Sequence, residues 1–159
     1  MPGLNLHYEE RGEGRPLLFL HGFGANTHTW KHLIPRFADH YKTLSLDLKG
    51  FGLSPKPADN EYSAEDQAEL VADFIVKKDL SDVTIIGHSL GGAIGLLTAV
   101  KLQARRRKSP HSLVLIDTIA YKQPLPLFIK LLRLPMFGRL LMDVVSEEIQ
   151  VEVMVWPTI

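Results

Sequence analysis

The chain has 159 residues, 45% of them hydrophobic and 23% charged, which fits one globular domain and excludes a disordered, collagen-like or multi-domain protein. Its 18 basic and 18 acidic residues cancel, so no summed field draws it onto nucleic acid or an anionic membrane, and the expected partner is a small-molecule substrate. The absence of cysteine excludes disulfides, thiolate zinc sites and a cysteine nucleophile.

Five segments have the pattern of β-strands. Residues 4–8 alternate apolar and polar side chains before a glycine-rich turn at 11–14, which predicts an antiparallel edge hairpin. Four continuous apolar runs follow, typical of parallel strands that are buried on both faces. These runs lie at residues 16–20, 43–47, 83–87 and 113–117.

Helical periodicity fills the intervals between the apolar runs. The predicted helices span residues 30–37, 63–78 and 91–103. The second of them opens on Ser63 followed by Asp66, which resembles a capping box with aspartate in place of glutamate. Strands that alternate with helices predict an α/β fold with a mostly parallel sheet and helices on both of its faces.

The composition changes after Ala120, where leucine, proline, phenylalanine and isoleucine crowd together without turn residues. We therefore divide the chain into a first unit at 1–120 and a helical second unit at 121–159. No apolar run reaches the roughly 18 residues that span a bilayer, and the first ten residues do not resemble a secretory signal. These patterns predict no transmembrane segment and a cytoplasmic location.

A serine flanked by glycines lies between the third apolar run and the last predicted helix. The sequence there is Gly87-His88-Ser89-Leu90-Gly91, the G-x-S-x-G pattern of a nucleophile elbow. A serine on so sharp a turn has a strained backbone, and the residues two positions away must lack side chains. Ser89 is therefore the candidate nucleophile, and the alternative is a glycine-rich turn with an incidental serine.

A second glycine-rich turn, H-G-F-G, begins at His21 directly after the first apolar run. In a parallel sheet it emerges at the same carboxyl edge as Ser89. The N–H groups of Phe23 and Leu90 form a candidate oxyanion hole, the latter at the positive end of the helix that follows the serine. The residues expected to support the two turns are His21, Gly22, Gly87 and Gly91. We expect no cofactor and no metal.

Three ordered motifs resemble the α/β-hydrolase superfamily over about residues 4–117. They are H-G-F-G at 21–24, D-L-K-G-F-G-L-S at 47–54 and G-H-S-L-G-G at 87–92. The resemblance implies an α/β-hydrolase fold, a serine hydrolase of ester-like or C–C bonds, and a helical cap that begins after residue 120. It also implies that Asp47 braces its loop, with Lys49 in place of the family's usual arginine. Ser89 argues against the family's dehalogenases and epoxide hydrolases, which use an aspartate nucleophile.

The resemblance further implies an acid and then a histidine after the nucleophile. The last histidine is His111, which precedes its strand and is therefore expected at the opposite sheet edge from Ser89. The residues interpreted as structural rather than catalytic are His21, His28, His32, His88 and Asp117. The triad is incomplete in this sequence. We therefore expect the amino-terminal part of a longer hydrolase, inactive or very weak on its own.

Two interpretations stay open at this point. One is a serine hydrolase whose catalytic remainder lies outside this sequence, and the other is a noncatalytic hydrolase-like domain that binds a small ligand or a partner chain. In both, the strand at 113–117 is expected to be an open apolar edge that favours self-association. The helical tail is expected to expose Leu127, Phe128, Leu131 and Leu134.

Overall fold

The computed structural model describes residues 4–107 and 109–118. The strands in this part of the chain are β1 (Tyr8–Arg11), β2 (Pro16–Leu20), β3 (Lys42–Leu46), β4 (Thr84–His88) and β5 (Ser112–Ile116). The helices are a 3₁₀ helix at Thr27–Trp30, α1 (Ile34–Phe37), α2 (Ala64–Lys77) and α3 (Leu90–Ala104). The predicted boundary at residue 120 and the four apolar tail residues lie outside the described range.

The strands form one sheet in the order β1-β3-β2-β4-β5. β1 is antiparallel to β3, and the other neighbours are parallel. This confirms the predicted α/β fold with a mostly parallel sheet. Because four strands run in one direction, the segments that follow them emerge at a single carboxyl edge, where sites form in such sheets.

The predicted edge hairpin is wrong in its bounds and its partner. β1 begins at Tyr8 instead of residue 4, and it pairs with β3 instead of β2. The turn at Gly12 lies against the chain that enters β3, because an added Cβ would lie 2.3 Å from the Ala38 carbonyl oxygen and 2.4 Å from that of Tyr41. The turn therefore carries the chain past β3, which lies between β1 and β2.

The sheet buries apolar side chains on both faces, as β2 shows. Its Leu18 and Leu20 belong to the core cluster that includes residues of α2 and α3, whereas Leu17 and Phe19 pack in a second cluster with Trp30. Burial of each such side chain stabilises the fold by about 1.5–3 kcal/mol. This two-sided burial explains why β2 is apolar at every position after its first.

Local signals fix the helix boundaries. The Ser63 hydroxyl accepts the Asp66 N–H at 3.1 Å, and the Asp66 carboxylate accepts the Ser63 N–H at 2.9 Å, so the predicted capping box is confirmed at α2. The single helix predicted at 30–37 is instead a 3₁₀ turn followed by α1. Helix α1 begins at Ile34 with Pro35 in its first turn, where proline suits a helix start because it lacks an N–H. None of the helices in the described residues is long and apolar enough to cross a membrane.

Candidate active site

Ser89 lies on the bend between β4 and α3, at the carboxyl edge of the sheet. Its backbone has φ 51° and ψ −115°, which is a strained conformation for a residue with a side chain. The Ser89 N–H donates to the Ile116 carbonyl oxygen at 2.9 Å, so β5 holds the bend in place. Strain of this kind persists only where the surrounding structure fixes it, and it clusters at functional sites.

The glycines on either side of Ser89 have no room for a side chain. A Cβ on Gly87 would lie 2.5 Å from the Gly91 carbonyl oxygen, and a Cβ on Gly91 would lie 2.2 Å from that of Leu20. The bend is therefore sterically closed on both sides, as the elbow pattern requires. Its tightness brings the first turn of α3, which begins at Leu90, against the carboxyl end of β2.

The H-G-F-G turn and the elbow are in contact. A Cβ on Gly22 would lie 3.0 Å from His88 Nδ1 and 3.4 Å from Ser89 Cβ. The His88 ring, interpreted from the sequence as structural, therefore packs on the backbone of the turn. Phe23 follows Gly22 with its side chain 49% exposed. The structure thus brings Ser89 close to the turn that carries Phe23.

His21 is buried and uses both ring nitrogens. Its Nδ1 donates to the Gly22 carbonyl oxygen at 2.7 Å, and its Nε2 accepts the Leu48 N–H at 3.0 Å. Burial holds the pKa of His21 below its ordinary value of 6.5, against the opposing effects of the Gly22 hydrogen bond and the Asp47 charge. His21 is therefore neutral near pH 7 and is committed to the backbone instead of to Ser89.

Asp47 joins the loops that follow β2 and β3. One carboxylate oxygen accepts the Thr27 N–H at 2.7 Å, and the other accepts the Leu53 N–H at 2.8 Å. Its carbonyl oxygen accepts the Ser54 hydroxyl at 2.6 Å. Asp47 is buried, and hydrogen bonds to an ionised acceptor are stronger than neutral ones. It therefore sets the relative position of two loops at the carboxyl edge.

Lys49 is buried and holds the far end of the same loop. Its ammonium group donates to both carboxylate oxygens of Asp59 at 2.8 Å and to the Glu61 carbonyl oxygen at 2.9 Å. It also lies 4.7 Å from the centre of the Tyr62 ring. The hydrogen bond from Lys49 is the main cause that holds the pKa of Asp59 below 3.8. The compact ammonium group of Lys49 thus holds this loop, although it lacks the planar guanidinium with which an arginine can bond two acceptors at once.

His7 is a residue of this edge that the sequence did not reveal. Its Nδ1 lies 3.9 Å from an Asp47 carboxylate oxygen, and both ring nitrogens are buried without a hydrogen-bond partner in the described structure. It reaches this edge because β1 is antiparallel, so the amino end of β1 lies beside the carboxyl end of β3. The sequence signal that could have placed His7 at this edge was the predicted antiparallel direction of the first strand.

The structure brings no base to Ser89 within the described residues. His28 Nε2 accepts a hydrogen bond from Lys31 at 2.9 Å, and the backbone of His111 bonds to Val83 at the amino end of β5. No hydrogen bond joins the Ser89 hydroxyl to another side chain of residues 4–107 and 109–118. Asp117 follows β5 with φ 45°, and no ion pair or hydrogen bond joins its carboxylate to a histidine in this part of the chain.

An apolar surface lies beside the H-G-F-G turn. The Phe23 ring meets the Phe51 ring edge-on with the ring centres 5.6 Å apart, and Phe51 in turn packs edge-on against the His21 ring at 5.5 Å. Leu53, on the loop held by Asp47, is 80% exposed. The arrangement combines a strained serine, a glycine turn in contact with it and adjacent apolar side chains. Such a combination suits acyl transfer to a serine hydroxyl.

A family model described as alpha/beta hydrolase fold matches residues 15–141. The chain belongs to that family. The match spans the H-G-F-G turn, the Asp47 loop and the elbow, so all three motifs of this alpha/beta hydrolase lie within the family's shared region.

Individual relatives extend this finding. The chain is 39% identical over 94 residues to a haloalkane dehalogenase of Agrobacterium fabrum, covering 59% of this chain and 31% of the dehalogenase. It is 37% identical over 102 residues to the 2-hydroxy-6-oxo-6-(2'-aminophenyl)hexa-2,4-dienoic acid hydrolase of Metapseudomonas resinovorans, covering 62% and 35% of the two chains. The esterase EaEST of Exiguobacterium antarcticum superposes with a TM-score of 0.67 at 28% identity, covering 77% and 45%.

The chain thus spans about a third of the length of these two relatives, 31% and 35%. Similarity also extends to a dehalogenase, a class that Ser89 was expected to exclude. Overall similarity follows the shared scaffold, whereas the elbow position determines which nucleophile the scaffold presents. The comparisons therefore establish the alpha/beta hydrolase family and no particular reaction for this chain.

Proposed function

We propose that this chain carries the nucleophile half of a serine hydrolase that cleaves an ester-like or C–C bond in a small molecule. Ser89 is the nucleophile, and the Phe23 and Leu90 N–H groups stabilise the oxyanion. The Ser89 oxygen attacks the substrate carbonyl carbon while its proton passes to a base, and the leaving group departs from the tetrahedral intermediate with that proton. Water then hydrolyses the acyl-enzyme, which releases the acid and restores the Ser89 hydroxyl. The proposal includes no cofactor and no metal.

The observation that supports this proposal most directly is the strained backbone of Ser89, with φ 51°. A serine at an incidental turn has no reason to keep a conformation that costs of order 1–3 kcal/mol. Here the tight packing around Gly87 and Gly91 and the hydrogen bond from the Ser89 N–H to Ile116 keep the backbone in this strained conformation. The closeness of Gly22 to the Ser89 Cβ further supports an oxyanion site, since it leaves the backbone of the turn beside the serine side chain.

The absence of a base beside Ser89 in the part of the chain that the structure describes determines the expected activity. Without a base the serine hydroxyl is a weak nucleophile, and the oxyanion donors with substrate binding leave only about 10³- to 10⁴-fold acceleration over water. We therefore expect the 159-residue chain to hydrolyse p-nitrophenyl esters very weakly. Added imidazole should raise the Ser89-dependent rate, because it can accept the proton that no described side chain accepts.

The experiment measures p-nitrophenyl butyrate turnover and fluorophosphonate labelling with and without imidazole. Imidazole also hydrolyses such esters in solution, so Ser89→Ala supplies the background and Ser81→Ala, an exposed serine elsewhere, is the matched control. The proposal requires imidazole-dependent turnover that Ser89→Ala abolishes and Ser81→Ala retains. Fast turnover without imidazole would contradict the incomplete triad.

The second candidate function is a noncatalytic hydrolase-like domain that binds a small ligand or a partner chain. The observation in its favour is that no base reaches Ser89 in the described residues. In that case neither labelling nor imidazole-dependent turnover would respond to Ser89→Ala. A cytoplasmic location and self-association through the β5 edge also belong to our proposal and need separate measurement.

A further inference from the structure

The peptide that joins Gly22 to Phe23 has its carbonyl oxygen fixed by two donors. His21 Nδ1 donates to it at 2.7 Å, and the Ala25 N–H lies at 3.3 Å. A trans peptide is planar, with its carbonyl oxygen and its amide hydrogen on opposite sides. Whatever holds the Gly22 oxygen therefore also fixes the direction of the Phe23 N–H.

His21 can hold that oxygen in one protonation state. The Gly22 oxygen only accepts, so Nδ1 must carry a hydrogen, and the Leu48 N–H only donates, so Nε2 must carry the lone pair. A second proton on the ring would face the Leu48 N–H and remove this acceptor. The two backbone partners thus select the neutral Nδ1–H tautomer, and burial of the ring favours the same neutral form.

The loops around His21 restrict the ring further. Leu48 follows Asp47, whose carboxylate binds the Thr27 N–H downstream of the H-G-F-G turn. The ring also packs edge-on against Phe51 of the same loop, with centres 5.5 Å apart. The loop after β3 therefore fixes the His21 ring. The ring in turn fixes the peptide after β2 through its hydrogen bond to the Gly22 carbonyl oxygen.

We propose that His21 is a positioning residue, whose neutral Nδ1–H tautomer orients the Phe23 N–H toward the oxyanion that forms at Ser89. This inference rests on the proposed function for its chemical consequence, because the oxyanion exists only if Ser89 reacts. The geometric part, in which His21 sets the Gly22 carbonyl and hence the Phe23 amide, is independent of catalysis.

Two substitutions separate the two hydrogen bonds. In His21→Asn the amide nitrogen stands as many bonds from Cα as Nδ1, so it can donate to Gly22 but cannot reach Leu48. In His21→Gln the amide stands where Nε2 was, so it can accept from Leu48 but cannot replace the bond to Gly22. Both variants lose one bond and the aromatic ring, and each therefore serves as the stability control for the other.

The first readout is the rate of Ser89 labelling by a fluorophosphonate in the full 159-residue chain, with imidazole present. The loss of one oxyanion donor slows such reactions by about 10²- to 10³-fold. We expect His21→Gln to label at least about tenfold more slowly than His21→Asn, with similar melting temperatures for the two variants. Equal labelling rates in the two variants would overturn the positioning role.

The second readout is NMR and needs no activity. Long-range ¹H–¹⁵N spectra of the wild-type chain should show the Nδ1–H tautomer of His21, and the Phe23 amide resonance should move more in His21→Gln than in His21→Asn. An Nε2–H tautomer, or equal movement in both variants, would overturn the inference. If the wild-type serine is not labelled at all, the proposed function fails, while the tautomer and the amide shifts still decide the role of His21.

Discussion

At the scale of single residues, two glycines of α3 occupy very different surroundings. A Cβ on Gly91 would lie 2.2 Å from the Leu20 carbonyl oxygen and 2.6 Å from that of His21, both backbone atoms. A Cβ on Gly95 would meet side-chain atoms instead, Ile85 Cγ2 at 3.1 Å and Leu20 Cδ1 at 3.9 Å. The same helix therefore provides one glycine that its packing requires and one that can be replaced.

We predict that Gly91→Ala lowers the free energy of unfolding by at least about 2 kcal/mol, because backbone must move to admit the methyl group. Gly95→Ala should stay within about 1 kcal/mol of the wild type, since a better helix residue offsets a small shift of Ile85. Urea denaturation of both variants measures the difference. Equal losses would mean that the elbow adapts to a side chain and is not sterically closed.

The lowered pKa of His21 predicts a pH dependence of stability. Between that pKa and 6.5 the unfolded chain binds more protons at this site than the folded chain, so the free energy of unfolding falls as the pH falls through this window. We expect the stability advantage of the wild type over His21→Asn to shrink from about pH 7.5 to about pH 5. The other histidines are present in both proteins and largely cancel. A constant difference in urea denaturation would contradict the prediction.

Residues of the candidate site differ in how far sequence can predict them. Ser89 and Gly87 follow from a local pattern, because a Cβ on Gly87 would meet the backbone of Gly91 and Gly92 in the turn that follows. His7 does not, because its approach to Asp47 depends on how β1 pairs across the sheet. Contacts between distant segments carry no local signature.

At the scale of secondary-structure elements, the start of α2 can be tested by itself. The Ser63 hydroxyl and the Asp66 carboxylate satisfy each other's backbone N–H groups, which leaves fewer unpaired donors at the helix end. We predict that Ser63→Ala lowers the free energy of unfolding by about 1 kcal/mol. The control is Ser81→Ala, an exposed serine outside the helices, which should change stability by less than about 0.5 kcal/mol in urea denaturation. Equal effects would mean that the cap contributes nothing.

Element boundaries were predicted well where one local rule applies. β2 has the predicted bounds, because its continuous apolar run is buried on both faces, and α2 begins at its capping box. The prediction was weaker where two rules compete. Around Pro35 the apolar periodicity continued, but the preference of proline for a helix start divided the segment into a 3₁₀ turn and α1. At β1 the alternating pattern at 4–8 overlaps the pairing residues at Tyr8 alone, because the strand continues through Arg11.

At the scale of the described molecule, the two edges of the sheet are chemically different. β1 carries Glu9, Glu10 and Arg11, and charged side chains discourage pairing with another strand. β5 carries no charge, and its Val114, Leu115 and Ile116 are all exposed. In the described residues β4 is the one strand that pairs with β5. The apolar edge was predicted from sequence, whereas the strand order required the three-dimensional fold.

We predict that the 159-residue chain self-associates through β5 and that Leu115→Lys weakens this association, because a lysine on an open edge must lose solvation when another strand pairs there. The matched control is Val100→Lys, which introduces the same charge at an apolar position of α3 that is 62% exposed. Sedimentation velocity across a range of protein concentrations should show a concentration-dependent shift for the wild type and Val100→Lys, and a smaller shift for Leu115→Lys. A wild type that stays monomeric, or equal shifts in both variants, would show that the β5 edge does not mediate association.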